Sequence, residues 1–289
     1  MISRRRLTLG AFAAAPALWL GTAVAQARNA DLHKAVSVLE RRHGGRLGVA
    51  IADTATKKSF AYRGDERFAL CSTHKLLTAA FVLARVDQKR ESLSRRVVYS
   101  KSDLVTYSPV TGKNVDGGLT VGALCEAAVT LSDNTAANLL LDSFGGPAAL
   151  TGYLRSLGDN VTRLDRRETA LNENKPGDPR DTTTPLAMLE TTQELVLGTA
   201  LSTASRTQLV TWLVACKTGD KRLRAGIPNG WQVGDKTGGG GHNATNDVAV
   251  VWPPGRAPIV IAVYYSGADA SQAEREAVLA EVGRLAATV

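Results

Sequence analysis

Cysteine is scarce in this chain, and its cysteines and histidines never gather at the spacing of metal ligands. The 289 residues include three cysteines and four histidines, with no C-x-x-C motif. This pattern disfavours a zinc hydrolase, and we expect neither a metal nor another cofactor. In an exported protein an odd number of cysteines leaves at least one thiol free. The three are Cys71, Cys125 and Cys216.

The chain also lacks a block of lysine and arginine beside aromatic residues, although its formal charge is +8. The positive excess is spread along the sequence, which is typical of a solvated surface and disfavours nucleic-acid binding. Internal repeats and low-complexity linkers are missing too. Hydrophobic residues make up 44% and charged residues 21% of the chain, so there is ample material for a globular core.

The N-terminal apolar run, residues 7–20, is too short for a membrane span. It follows a basic start at Ser3-Arg4-Arg5-Arg6 and precedes Ala23-Val24-Ala25, which fits an A-x-A cleavage site. Residues 1–25 are therefore predicted to be a signal peptide. An ordinary secretory signal and a twin-arginine signal both fit this pattern. We expect a periplasmic or secreted mature protein without a membrane anchor.

Apolar periodicity predicts strands near both ends of the mature chain and helices between them. The predicted helices are 29–43, 72–86, 120–130, 132–142, 147–156, 185–197, 202–215 and 271–287. The predicted strands are 46–53, 57–62, 231–236, 246–252 and 259–265.

This order predicts an α+β architecture in which the two ends join into one antiparallel sheet flanked by the terminal helices. Residues 26–62 and 217–289 would form this α/β domain, and residues 63–216 a second, all-α lobe. The stretch 163–184 is irregular and rich in Asp, Asn, Pro and Gly, which is typical of a functional or disordered loop. A site at the seam between the lobes is expected.

Ser72-Thr73-His74-Lys75 lies where a loop enters a helix. Positions three apart share a helical face, so Lys75 could activate Ser72 as a nucleophile if its surroundings lower its pKa. The free N–H groups of a helix N-terminus could stabilise an oxyanion. The ordinary alternative is an N-cap serine with a surface lysine.

Ser132-Asp133-Asn134 stands at another predicted helix start. All three residue types are preferred N-caps, which is the ordinary interpretation. The functional one makes Ser132 a proton relay, Asn134 a contact for a substrate amide, and Asp133 structural.

The tripeptide Lys-Thr-Gly occurs twice. The copy at 217–219 follows a helix and looks like a helix end with a polar turn. The copy at 236–238 ends a predicted strand and leads into further glycines, which let a ligand approach the backbone. The second copy is the functional candidate.

Glu168 and Asn172 lie four residues apart in the irregular stretch. Together they could hold a water that Glu168 activates as a general base, unless Glu168 is simply a solvated loop residue. Arg166 and Asp181 could brace the loop through an ion pair.

In this order and at these separations, the four motifs resemble those of class A serine β-lactamases. The segment Thr245-Asn246-Asp247-Val248-Ala249-Val250-Val251-Trp252-Pro253 is similar to the cefotaximase-type branch. The resemblance covers nearly all of the mature chain. It implies the serine β-lactamase and penicillin-binding-protein fold, with a five-stranded antiparallel sheet and an omega loop at about 163–181.

The resemblance also implies hydrolysis of β-lactam antibiotics through an acyl-enzyme, with small-molecule substrates and a monomeric protein. Backbone N–H groups of Ser72 and Gly239 would form the oxyanion hole. The implied catalytic residues are Ser72, Lys75, Ser132 and Glu168. The implied substrate contacts are Tyr107, Asn134, Asn172, Lys236, Thr237, Gly238, Gly239 and Arg275.

Some positions depart from the family pattern. Gly239 replaces a serine or threonine of many relatives, and Thr245 replaces a carboxylate-binding arginine for which Arg275 would substitute. Gly240 occupies the position of the cysteine that bridges to the residue before the nucleophile in some carbapenemases. Cys125 likewise lacks its usual partner, so no intramolecular disulfide is expected.

Two other functions are compatible with part of this pattern. A penicillin-binding DD-peptidase shares Ser-x-x-Lys and Lys-Thr-Gly but has no deacylating glutamate, so Glu168 with Asn172 disfavours it. A non-hydrolytic β-lactam sensor domain would need a transmembrane anchor, and the sequence has no span of that length.

Overall fold

The computed structural model of the protein describes the backbone of residues 17–289 and the side chains from residue 28 onward. Most of the predicted signal peptide, residues 1–16, lies outside this range. Within it, the first helix begins at Ala17, earlier than the predicted start at 29. Among the residues described, no helix combines the length and the apolar character needed to cross a bilayer.

Helices and strands follow the predicted order closely. The helices are α1 Ala17–His43, α2 His74–Asp87, α3 Val121–Thr130, α4 Asn134–Ser143, α5 Gly146–Ser156, α6 Pro185–Leu197, α7 Thr203–Val214, α8 Leu223–Gly226 and α9 Gln272–Ala286. The strands are β1 Arg46–Asp53, β2 Lys58–Tyr62, β3 Phe68–Ala69, β4 Arg96–Val97, β5 Leu119–Thr120, β6 Thr182–Thr183, β7 Gln232–Gly240, β8 Ala244–Trp252 and β9 Ile259–Ser266.

Local sequence explains where several helices begin. The side chains of Thr120, Thr184 and Ser202 each accept a hydrogen bond from a backbone N–H in the first turn of the helix that follows. Ser271 and Glu274 form a reciprocal capping box at α9. Such caps satisfy backbone donors that have no partner within the helix.

The strands from the two chain ends form one antiparallel sheet of five strands, in the order β2-β1-β9-β8-β7. This is the predicted α+β architecture. Because strand side chains alternate, each strand supplies both faces of the sheet. In β1, Leu47, Val49 and Ile51 pack on the side of α1 and α9. Ala50 and Ala52 face the core of the helical region.

Strand β7 lies at the edge of the sheet and is longer than predicted. The sequence suggested that it ends within Lys236-Thr237-Gly238, but its pairing with β8 continues to Gly240 opposite Ala244. The edge of this strand packs against the short 3₁₀ turn Cys71–Thr73, which leads into α2. The sheet edge and the start of α2 therefore form two walls of one cleft.

Candidate active site

Ser72 lies in the 3₁₀ turn immediately before α2. Its neighbours Cys71 and Thr73 are buried, whereas Ser72 keeps part of its surface accessible. Thr73 fixes the turn, since its backbone N–H and its hydroxyl both donate to the carbonyl oxygen of Leu70. Cys71 adopts a φ of 45°, a conformation that costs free energy for a non-glycine residue and is common next to reacting groups.

Lys75 is fully buried and its Nζ lies at the centre of the cleft floor. It is 2.9 Å from Ser72 Oγ, 2.8 Å from the carbonyl oxygen of Ser132 and 2.9 Å from Glu168 Oε1. It also donates to the side-chain oxygen of Asn134. Burial lowers the pKa of Lys75, although the Glu168 carboxylate opposes this shift. A lysine with a lowered pKa is more often in the neutral form that can accept a proton than a solvated lysine is.

The hydroxyl of Ser132 lies between two lysines. Its Oγ is 3.3 Å from Lys75 Nζ and 3.2 Å from the Nζ of Lys236, which is also fully buried. Burial lowers the pKa of Lys236 to about 8, and the charge of Lys75 adds to that effect. The arrangement offers a hydroxyl relay held by two cationic groups.

Asp133 has a structural role, as predicted. It caps α4 by accepting from the backbone N–H of Ala136. Its carboxylate also accepts from the backbone N–H groups of Val110 and Thr111. These contacts fix the segment carrying Tyr107, whose carbonyl oxygen accepts from the Asn134 N–H. The α4 start and the Tyr107 segment are thereby held as one wall.

Glu168 lies across the cleft floor from Ser72, and its side chain is buried. Oε1 is 3.4 Å from Ser72 Oγ and 2.9 Å from Lys75 Nζ, while Oε2 accepts from Asn172 Nδ2. Burial alone would raise the pKa of Glu168. The charge of Lys75 and a hydrogen bond from His74 outweigh burial and hold the pKa well below its usual range. Glu168 is therefore ionised, as a general base must be.

The predicted brace of the loop is present. The Arg166 Nε lies 2.5 Å from Asp181 Oδ2. The other oxygen of Asp181 accepts from the backbone N–H groups of Asp165 and Arg166. Asn138 of α4 adds a second anchor, since its amide pairs with the backbone N–H and carbonyl of Glu168. The loop is thus fixed at its neck and at the glutamate.

The end of β7 packs closely against the loop that carries Glu168, which explains why positions 240 and 241 are glycines. A Cβ at Gly240 would approach the carbonyl oxygen of Asn172 to 2.7 Å and the sulfur of Cys71 to 2.8 Å. A Cβ at Gly241 would meet the Glu173 carbonyl oxygen at 2.2 Å.

The three cysteines are buried free thiols.

The walls enclose a cavity of about 390 Å³. Lys75, Glu168 and Lys236 lie buried behind its surface. Tyr107 stands at its mouth with 56% of its surface exposed. The residues that line it are Ser72, Tyr107, Ser132, Asn134, Asn172, Thr218, Arg222, Thr237, Gly238, Gly239, Gln272 and Glu276.

One candidate, Arg275, does not line this cavity. Its Nε donates to Thr245 Oγ1 at 3.0 Å, and its guanidinium also donates to the carbonyl oxygen of Ala270. Arg222, which follows the first Lys-Thr-Gly copy in sequence, lines the cleft instead. Its Nη1 donates to the carbonyl oxygens of Gly238 at 2.7 Å and Asn246 at 2.8 Å.

The first Lys-Thr-Gly copy also contributes to the site, contrary to its interpretation as a mere turn. Lys217 is exposed, but Thr218 lines the cavity and its hydroxyl is 2.5 Å from that of Thr237. Gln272 and Glu276 at the start of α9 were missed as well. Glu276 lies 3.5 Å from Arg222, so this wall pairs a cation with a carboxylate. Only the replacement of arginine by Thr245 hinted that another cation was needed.

The chain is similar to known proteins of one family over most of its length. The model of the beta-lactamase enzyme family matches residues 31–289. The chain is 47% identical to beta-lactamase CTX-M-8 of Citrobacter amalonaticus, over 93% of this chain and 92% of that one. It is 46% identical to beta-lactamase Toho-1 of Escherichia coli, over 98% and 97%. A solved ancestral class A beta-lactamase is 67% identical with a TM-score of 0.87, covering 88% of this chain and 98% of that one.

Proposed function

This chain belongs to the class A β-lactamases and hydrolyses the β-lactam ring of antibiotics, which confers resistance, and we propose that it does so through a covalent acyl-enzyme on Ser72. The observation that carries this proposal is the meeting of Ser72 and Glu168 from two sides of one cleft. Their reactive oxygens are 3.4 Å apart, and Lys75 contacts both.

In the first half of the reaction, Ser72 Oγ attacks the lactam carbonyl carbon. Two bases lie within reach of its proton, Lys75 Nζ at 2.9 Å and Glu168 Oε1 at 3.4 Å. The backbone N–H groups of Ser72 and Gly239 are proposed to stabilise the oxyanion. Ser132 then passes a proton to the lactam nitrogen as the ring opens, and the charge of Lys236 holds its hydroxyl in place.

In the second half, Glu168 removes a proton from a water molecule that attacks the ester carbonyl. Asn172 donates to Glu168 Oε2 and helps to position that water. The low pKa of Glu168 keeps it ionised, so it is ready to act as a base at neutral pH. Proton return to Ser72 completes the cycle.

Substrate recognition is assigned to the remaining walls. Asn134 and Thr237 would contact the amide and the carboxylate of the drug, and Tyr107 would flank it at the mouth. We propose that Arg222 supplies the cation for the substrate carboxylate, because it lines the cavity and Arg275 does not. Arginine suits this task since its planar donors match a carboxylate.

The broader organisation is also proposed. Residues 1–25 act as a signal peptide, and the mature chain works as a monomer in the periplasm or outside the cell. The α/β domain comprises 26–62 and 217–289, and the all-α lobe comprises 63–216. The cleft described above would lie along their boundary.

The test is to trap the intermediate. Glu168→Ala treated with penicillin should gain the mass of one drug molecule, and peptide mapping should locate it on Ser72. The acyl-enzyme should persist because its base has been removed. Ser72→Ala is the control and should stay unlabelled. Full turnover by Glu168→Ala, or an adduct elsewhere, would contradict the mechanism.

A further inference from the structure

His74, the first residue of α2, contacts the catalytic carboxylate from inside the protein. The side chain is fully buried, whereas His33 and His242 are exposed. Its Nε2 is 3.3 Å from Glu168 Oε1, and its Nδ1 is 3.2 Å from Thr78 Oγ1 one turn along the helix. The imidazole thus spans from the helix core to the carboxylate.

The chemistry of these contacts defines the tautomer. An ionised carboxylate can only accept, so Nε2 must carry the hydrogen that it donates to Glu168. Burial lowers the pKa of His74, and the opposing effect of Glu168 does not reverse that shift. The ring is therefore neutral at neutral pH, and Nδ1 accepts a hydrogen bond from the hydroxyl of Thr78.

The donors around Glu168 change during the proposed reaction. Oε1 receives hydrogen bonds from Lys75, from His74 and from the hydroxyl of Ser72. Acylation removes the Ser72 hydroxyl hydrogen, and the proton count of Lys75 changes if it serves as base. The N–H of His74 takes no part in either transfer. Of the three donors to Oε1, it is the one that persists unchanged while water attacks the acyl-enzyme.

We propose that His74 is a positioning residue for hydrolysis of the acyl-enzyme: its Nε2–H holds Glu168 ionised and fixed in orientation throughout that step. This inference rests on the proposed role of Glu168 as the hydrolytic base. His74 itself does not touch the substrate, and it acts through the carboxylate.

The contacts of His74 predict the direction in which the pH dependence should change. The charged groups facing His74 are Glu168 from the loop, Lys75 from α2 and Lys236 from β7. Both lysines stay protonated in acid, so the acid limb of deacylation reports on Glu168 and its donors. Loss of the N–H should raise the pKa of Glu168 and move that limb to higher pH.

The experiment compares three substitutions by steady-state kinetics across the acid range, rapid-quench acylation and thermal melting. His74→Phe keeps a planar ring without the donor. His74→Gln places an amide N–H near the position of Nε2 and cannot titrate. In His74→Asn the side chain is too short to reach Glu168. This variant tests loss of the donor without introducing a phenyl ring.

For His74→Phe and His74→Asn, kcat should fall about 10-fold, as expected for one hydrogen bond to a charged group. KM should fall with it, which leaves kcat/KM nearly unchanged and lets acyl-enzyme accumulate. The acid limb should move to higher pH. His74→Gln should recover most of the rate and the original acid limb.

Two results would overturn the inference. One is a folded His74→Asn or His74→Phe variant with unchanged kcat and acid limb. The other is a His74→Gln variant as defective as His74→Phe, because packing and not the N–H would then be responsible. Glu168→Ala is measured alongside. If it turns over normally, the proposed function fails; if it traps acyl-enzyme while His74→Phe behaves as wild type, this inference alone fails.

Discussion

The two sides of the cleft differ in how far they depend on polar contacts to stay in place. Lys75 lies on α2, whose apolar residues pack in the main hydrophobic core, and Lys236 lies on a strand of the central sheet. Glu168 and Asn172 lie on an irregular loop that places Leu164 and Leu171 in the same core, but its neck and its glutamate are held by the Asp181 carboxylate and the Asn138 amide. Packing thus supports the groups proposed to form the acyl-enzyme, whereas the position of the groups proposed to hydrolyse it depends on buried polar contacts as well. The two half-reactions should therefore respond separately to mutation.

The largest effect on the core-supported side should come from Lys236. Lys236→Ala should lower kcat/KM by about 10²–10³-fold, because it removes a preorganised charge beside Ser132 and the substrate. Lys217 belongs to the other copy of Lys-Thr-Gly and is exposed, so the kcat/KM of Lys217→Ala should stay within about twofold of wild type. Steady-state hydrolysis of one penicillin measures both. Equal losses would show that placement does not distinguish the two copies.

The charge of Lys236 should also limit activity at alkaline pH. Burial lowers its pKa to about 8, so the cation is lost as pH rises through that value. The kcat/KM should then fall by about tenfold for each further pH unit. Lys236→Arg should shift this limb to higher pH, since a guanidinium stays protonated. A profile that Lys236→Arg leaves unmoved would assign the limb to another group.

The loop that carries Glu168 should be more sensitive to loss of the Arg166–Asp181 brace than to loss of the ion pair between Asp178 and Arg180. Asp181→Asn should lower the free energy of unfolding by about 1–3 kcal/mol, because Asp181 is buried and accepts several hydrogen bonds. Deacylation should slow several-fold while acylation changes less. Chemical denaturation and rapid-quench kinetics measure the two effects.

Asp178→Asn is the matched control in the same loop. Asp178 is partly buried, but its carboxylate pairs with the exposed Arg180 only two residues away, so its loss should affect stability and deacylation far less. If Asp178→Asn and Asp181→Asn slow deacylation equally, burial of the brace is not what positions Glu168.

The sequence predicted the fold and the central residues because their signals are local. The apolar run of β9 and helix-capping residues such as Ser271 are signals that can be read within a few positions of the sequence. Ser72, Lys75, Ser132, Lys236 and Glu168 were found because each lies in a recognisable motif. The structure brings all five together at hydrogen-bonding distances.

The remaining residues were missed because their roles depend on tertiary placement. Arg222 belongs to a polar turn in sequence, and only the approach of that turn to β7 and β8 brings it into the cleft. Thr218 is positioned by Thr237 of a distant strand. In the sequence nothing distinguishes His74 from any other histidine on a helix. Only the folded structure shows that the loop brings Glu168 beside it. Such contacts between distant segments leave no periodic signal.

Burst kinetics of Glu168→Gln test most directly whether the loop serves the second half-reaction. Glutamine keeps the shape of Glu168 but cannot take a proton from water. Acylation should open one equivalent of β-lactam ring per enzyme in a burst, seen as loss of the drug's absorbance, after which the steady-state rate should fall by about 10²–10⁴-fold relative to wild type. Linear loss of β-lactam at the wild-type rate, without a burst, would contradict the proposal that the loop serves hydrolysis of the acyl-enzyme.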